Sequence, residues 1–228
     1  MKTIGLIGGM SWESTAHYYR VLNQETGRLR GGLHSAPLLI HSVDFAGIAA
    51  LQSAGSWDEA GEQLSDVAKG LQASGAQVIG LATNTMHIVA DAITAGLTVP
   101  FVHIADPTAD ALLADGFTRV GLLGTRFTME MGFYRERLEA RGLDVLIPEV
   151  DRTNLNGIIY DELCRGIVRD QSRAIYVNAI RLLQARGAEA VILGCTEIGM
   201  LIDDESSPIP TYDTTDLHAK ALVAAALA

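Results

Sequence analysis

Short, wholly apolar runs alternate along this chain with longer segments of helical period. The runs predict strands at residues 3–7, 37–42, 77–82, 101–103, 119–123, 144–147 and 190–193. Between them, spacing of apolar positions at three and four residues predicts helices over 14–29, 57–74, 134–141 and 173–186. A strand that is apolar at every position is covered on both faces, as in a parallel sheet flanked by helices. The alternation of strand and helix therefore predicts an α/β fold. No low-complexity stretch or long linker interrupts it.

The same pattern recurs within the chain. Leu71-Gln72-Ala73-Ser74-Gly75-Ala76-Gln77 resembles Leu183-Gln184-Ala185-Arg186-Gly187-Ala188-Glu189, each position displaced by 183 − 71 = 112. Continued at that offset, Thr83-Asn84-Thr85 lies over Cys195-Thr196-Glu197. Ile4-Gly5-Leu6-Ile7-Gly8 likewise resembles Val120-Gly121-Leu122-Leu123-Gly124, displaced by 120 − 4 = 116. Two matches in the same order predict a duplicated unit, far longer than a solenoid repeat. The expected architecture is two Rossmann-like domains with parallel sheets, related by a pseudo-twofold axis, with the site where they meet. The expected boundaries are 1–100 with 212–228 for one domain and 101–211 for the other.

Composition narrows the function. With 228 residues, 48% of them apolar, the chain can bury substantial cores, and 19% charge is too little for a disordered polymer. A net charge of −10 argues against nucleic acid and anionic membrane surfaces as partners. The N-terminal apolar stretch is too short for a signal peptide, which makes a cytoplasmic protein the expectation. Cys164 and Cys195 are the only cysteines, too few for a four-thiolate zinc site.

In open parallel sheets, ligands bind at the carboxyl ends of strands. The repeat puts Thr83 and Cys195 at equivalent ends of two units, where opposed groups could remove and return a proton on one carbon. The short helix expected after Cys195 would lower its thiol pKa. Asn84, Thr85 and Thr196 stand at helix starts, where they could cap a helix or hold a carboxylate. Gly5-Leu6-Ile7-Gly8-Gly9 lacks the G-x-G-x-x-G spacing of a dinucleotide loop. Cys164 reads as a small packed hydrophobe, and His87 as a hydrogen-bonded structural group or a partner of Thr83. Glu197 could orient Cys195, raise its basicity, or only favour a helix start.

Gly8-Gly9-Met10-Ser11-Trp12-Glu13-Ser14-Thr15, Thr83-Asn84-Thr85-Met86-His87 and Gly194-Cys195-Thr196-Glu197 resemble motifs of the aspartate/glutamate racemase superfamily. The likeness extends to Gly31-Gly32-Leu33-His34-Ser35 and Ser42-Val43-Asp44-Phe45. It runs over essentially the whole chain and points to the bacterial L-aspartate/glutamate-specific branch, of the Escherichia coli type. What the resemblance implies is a two-base racemase without pyridoxal or metal, working between two domains, often as a homodimer. It places the catalytic pair at Thr83 and Cys195. Asn84, Thr85 and Thr196 match the site motifs directly, and Met10, Gln52 and Thr125 match by position. Its substrate is a small amino acid.

One departure matters. The family's first catalytic cysteine is replaced by Thr83, whose hydroxyl is not normally ionised. The expectation is an asymmetric enzyme, with Cys195 as base and Thr83 donating or relaying a proton. An acidic substrate side chain also wants a cation, and none follows Asp44-Phe45 before Lys69. Arg126 or Gln52 could serve, and a broader range of polar amino acids, homoserine among them, stays open. So do a related isomerase, hydantoin racemase or one-cysteine decarboxylase, and an amino-acid-binding protein without turnover.

Overall fold

The structure is a computed structural model covering residues 1–228, and the chain divides into two compact units. One is Met1–Ile104 with His218–Ala228, and the other is Ala105–Leu217.

The first unit runs β1 (Ile4–Gly8), α1 (Trp12–Arg30), β2 (Leu38–Ser42), α2 (Phe45–Ala54), α3 (Trp57–Ala73) and β3 (Val78–Leu81). A 3-10 turn at Thr85–Val89, α4 (Ala90–Thr94) and β4 (Phe101–Val102) complete it. Its four strands lie parallel in the order β2-β1-β3-β4. Side chains alternate across the sheet. From β1 and β3, Ile4, Leu6 and Val78 enter an apolar cluster with Tyr18 and Leu22, while Ile7, Ile79 and Leu81 enter another with Leu64 and Leu71. Both faces are thus dry, which is why these strands read as unbroken apolar runs.

The second unit runs α5 (Ala105–Ala114), β5 (Arg119–Gly124), α6 (Arg126–Glu130), α7 (Gly132–Glu139), β6 (Asp144–Leu146) and α8 (Arg152–Asp161). A 3-10 turn at Leu163–Arg165, α9 (Asp170–Ala185), β7 (Ala190–Gly194), a second turn at Ile198–Met200 and β8 (Thr211–Asp213) follow. The last helix, α10 (Thr214–Leu227), carries the chain back to the first unit. There Leu222 fills the space a side chain at Gly80 would need, and Lys2 N–H donates to the Ala226 carbonyl at 2.7 Å. The second sheet has the order β6-β5-β7-β8, again all parallel. The two sheets share one strand order, with β1 and β3 corresponding to β5 and β7.

All seven strands expected from the sequence are present within a residue or two of their ends. The eighth, β8, is missing from that reading because Pro208-Ile209-Pro210-Thr211-Tyr212-Asp213 is neither an apolar run nor an alternating one. It becomes a strand by pairing with β7, Val191 opposite Thr211. That pairing keeps 211–213 with the second unit, and the pairing of β4 with β3 keeps 101–102 with the first. The crossings between units therefore fall later than positions 100 and 211. No helix is long and apolar enough to cross a membrane.

Gly9 shows how tightly the loop after β1 is set. Its φ is +93°, and a Cβ there would come within 2.2 Å of the Val43 carbonyl oxygen. Gly31 also has positive φ, +72°, but a Cβ there meets nothing within 4 Å. Gly9→Ala should therefore lower unfolding stability by about 3 kcal/mol or more, and Gly31→Ala by about 1 kcal/mol. Urea unfolding of both variants checks this; equal losses would show that the close approach to Val43 is unimportant.

Candidate functional site

In the first unit the loops after β1 and β3 leave neighbouring strands at one end of the sheet. Ile7 pairs with Leu81, and the Ala82 N–H donates to the Ile7 carbonyl at 2.8 Å. Met10, Gln52, Thr83, Asn84 and Thr85 are all buried. Met10 and Ile48 pack in the same apolar cluster as Met86, and the Gln52 amide reaches the Met86 sulfur at 3.1 Å. The fold thus draws Gln52, from α2, onto the loop that carries Thr83.

The backbone of Thr83 is held by a histidine. His87 Nδ1 lies 2.8 Å from the Thr83 carbonyl, and the Ile104 N–H donates to Nε2 at 3.2 Å. Since Nε2 accepts, Nδ1 must carry the proton, and the ring bridges two backbone groups in its neutral form. The ring also packs edge-on against His103, with centroids 4.4 Å apart. The Thr83 hydroxyl itself makes no hydrogen bond within the chain. Asn84 opens the 3-10 turn without a side-chain capping bond.

In the second unit β5 and β7 pair through Gly124 and Gly194, whose backbones approach closely; a Cβ on Gly124 would lie 2.7 Å from the Gly194 carbonyl oxygen. Thr125 and Cys195 therefore leave adjacent strands side by side. Thr125 caps α6, its hydroxyl accepting the Thr128 N–H at 3.2 Å. Cys195, Thr196 and Glu197 are buried. The Cys195 thiol donates to Glu197 Oε2 at 3.0 Å, and the Thr196 hydroxyl donates to the same oxygen at 2.7 Å. Thr196 is engaged by Glu197 rather than by a helix end.

This geometry corrects the expected effect on the thiol. Burial first, then the charge of Glu197, pushes the Cys195 thiol well above its ordinary pKa. The helical turn that follows is only Ile198–Met200, too short to offset a desolvated sulfur beside a carboxylate. Both effects favour the thiol over the thiolate.

The sequence reading missed the neighbourhood of Cys164. Burial pushes that thiol up as well, and the Glu197 carboxylate, which it faces, adds to the shift. Both cysteines belong to one apolar cluster, floored by Leu163, Tyr176 and Leu193. Position in the chain gave no sign of this, because α9 separates Cys164 from β7. The next residue, Arg165, is exposed and makes no ion pair, whereas Arg126 stands 4.0 Å from Glu130 and over the Phe127 ring. A cavity of about 460 Å³ lies elsewhere on this unit, lined by residues such as Val150, Ile175, Asn178 and Leu182, and reaches none of the site positions.

Comparison with known proteins covers both units of the chain. The family model described as Asp/Glu/Hydantoin racemase matches residues 7–222. A Yersinia pestis protein of known structure, described as a candidate Asp/Glu racemase, is 49% identical over the full length of both chains, with a TM-score of 0.92. An aspartate racemase homologue from Pyrococcus horikoshii is 34% identical over the full length of both, with a TM-score of 0.85. The broad specificity amino-acid racemase RacX of Bacillus subtilis is 26% identical over 171 residues, 75% of this chain and 74% of its own. A match that takes in both strand-end loops and both sheets is more than a shared fold, and the chain belongs to the Asp/Glu/hydantoin racemase family, an isomerase of the amino-acid racemase kind.

Proposed function

We propose that this racemase interconverts the L- and D-forms of aspartate or glutamate, with Cys195 and Thr83 exchanging protons at the substrate α-carbon. The observation that carries the reading is the matched placement of these two residues. Each follows the second central strand of its own sheet, and both are buried among polar neighbours. Cys195 removes the α-proton from one face, and the Thr83 hydroxyl, which has no partner within the chain, donates or relays a proton on the other. Asn84, Thr85 and Thr196 supply short polar groups for the α-carboxylate and ammonium. In this reading Met10, Gln52 and Thr125 supply further contacts to the substrate.

The preference for an acidic side chain rests on charge. Arg165 directly follows a thiol that faces Glu197, and its guanidinium is unpaired, so it can meet a distal carboxylate in bidentate fashion. Arg126 has less to offer because Glu130 already shares its charge. A wider range of polar amino acids is the second reading, favoured by the name of the Bacillus subtilis relative.

Chiral chromatography after incubation with each enantiomer tests the activity, and α-deuterium incorporation in heavy water tests the proton exchange. Cys195→Ala should lose at least about a hundredfold in turnover. Thr83→Cys should keep or raise activity; complete loss in a folded variant would remove Thr83 from the mechanism. Forward and reverse kcat and KM should differ individually, while the ratio of the two kcat/KM values stays at the equilibrium constant of one.

Arg165→Met should raise KM for aspartate or glutamate about tenfold, equivalent to about 1.4 kcal/mol, and leave homoserine unaffected. An equal effect on charged and uncharged substrates would take Arg165 out of side-chain recognition.

A further inference from the structure

A threonine is branched at Cβ and has few rotamers, so its hydroxyl points where its backbone directs it. Whatever fixes the backbone of Thr83 therefore also aims the hydroxyl. The sheet does not do so. Pairing of β3 with β4 ends at Gly80 and Val102, and Thr83 lies beyond that end.

Past the end of the strands a side chain takes over. His87 donates from Nδ1 to the Thr83 carbonyl at 2.8 Å and accepts the Ile104 N–H on Nε2 at 3.2 Å. The imidazole stands between the two strand ends, bonded to a carbonyl on one and an amide on the other, like one more rung of the ladder. The following turn does not supply this bond from its backbone. An α-helix would direct the N–H of residue 87 to the Thr83 carbonyl, but it goes to Asn84 at 3.1 Å. The segment Thr85–Val89 is a tighter 3-10 turn, and the ring of His87 serves that carbonyl in place of its own amide. The ring is itself held. It is buried, edge-on to His103 and His218 with centroids 4.4 and 6.0 Å away, and tilted against Phe101 at 5.7 Å.

We propose that His87 is a positioning residue for Thr83, fixing the backbone from which the Thr83 hydroxyl is presented to the substrate α-carbon. The inference rests on the racemase reading for its catalytic half only. Both ring nitrogens are engaged by backbone groups, so the ring sets the aim of the hydroxyl and takes no part in the proton exchange. Misplacing a reacting group by about 1 Å costs on the order of a hundredfold in rate, which is the effect expected from losing this hold.

The test separates the two nitrogens. An asparagine amide reaches the place of Nδ1 and a glutamine amide the place of Nε2, so each variant keeps one of the two bonds. His87→Asn keeps the donor to Thr83 and loses the acceptor for Ile104, and His87→Gln does the reverse. With aspartate and glutamate, His87→Gln should lower kcat about a hundredfold and leave KM within about twofold of the parent. His87→Asn should keep kcat within about fivefold. A packing role alone predicts the opposite order, because glutamine is nearer to histidine in size. Equal losses in the two folded variants, or a loss carried by KM, would overturn the proposal. So would a hundredfold loss in folded His87→Asn, a criterion that holds whether or not His87→Gln folds.

Amide hydrogen exchange over residues 83–89 needs no substrate. It should quicken at least about tenfold in His87→Gln and far less in His87→Asn; no difference between them also overturns the proposal. If the parent racemises neither amino acid while exchange follows this order, the racemase reading fails and the hold of His87 on the loop stands.

Discussion

Parallel pairing of the two central strands in each unit is the constraint from which the site follows. Parallel neighbours cannot be joined by a tight turn, so each connection must cross over through a helix. Every strand then ends at the same edge of its sheet. Once Ile7 pairs with Leu81 and Gly124 with Gly194, the residues just beyond have no choice of neighbour. Met10 joins Met86 in one apolar cluster at the end of the first sheet, and Thr125 leaves its strand beside Cys195. The glycines at these ends let the backbones approach at distances a side chain would forbid. The candidate site residues thus stand on the most closely specified ends of the scaffold.

That rigidity explains what could be read in the sequence. Val78-Ile79-Gly80-Leu81 and Ala190-Val191-Ile192-Leu193-Gly194 are buried at every position, so both the strands and their repetition stand out. The motif residues follow at a fixed distance, which makes Thr83 and Cys195 legible as equivalents. What escaped was whatever depends on contacts distant in the chain. The strand Thr211–Asp213 has a polar sequence and exists because Val191–Leu193 offers it an edge. Ile40, His41 and Ser42 were found as a strand although exposed, because the apolar residues before them supplied the pattern. Cys164 is the clearest case. Its own segment describes a packing thiol, and only the folding of α8 and α9 across β7 turns it toward Glu197.

The misjudged pKa of Cys195 has the same origin. A sequence shows that a polar turn follows the thiol, and a helix N-terminus is a familiar way to favour a thiolate. It does not show how long the turn is, or that the carboxylate two residues on folds back onto the sulfur. In the structure the turn spans three residues, and burial and Glu197 act together against ionisation. Local chemistry singled out the thiol and the carboxylate but gave the shift of the thiol the wrong direction.

The replacement of a thiol by Thr83 takes on a different meaning in that light. A pair of thiolates would need two separate means of ionisation, each in a dry setting. Here one side holds a thiol with its own carboxylate. The other holds a hydroxyl whose backbone is fixed by neutral His87. A hydroxyl that stays protonated needs no partner to ionise it, and His87, committed to two backbone groups, has no free nitrogen to act as one. The two units share one strand order, yet the loop after the second central strand carries a thiol beside a carboxylate in one and a hydroxyl on a histidine-held backbone in the other. On the proposed mechanism that difference is what lets one residue remove a proton and the other supply one.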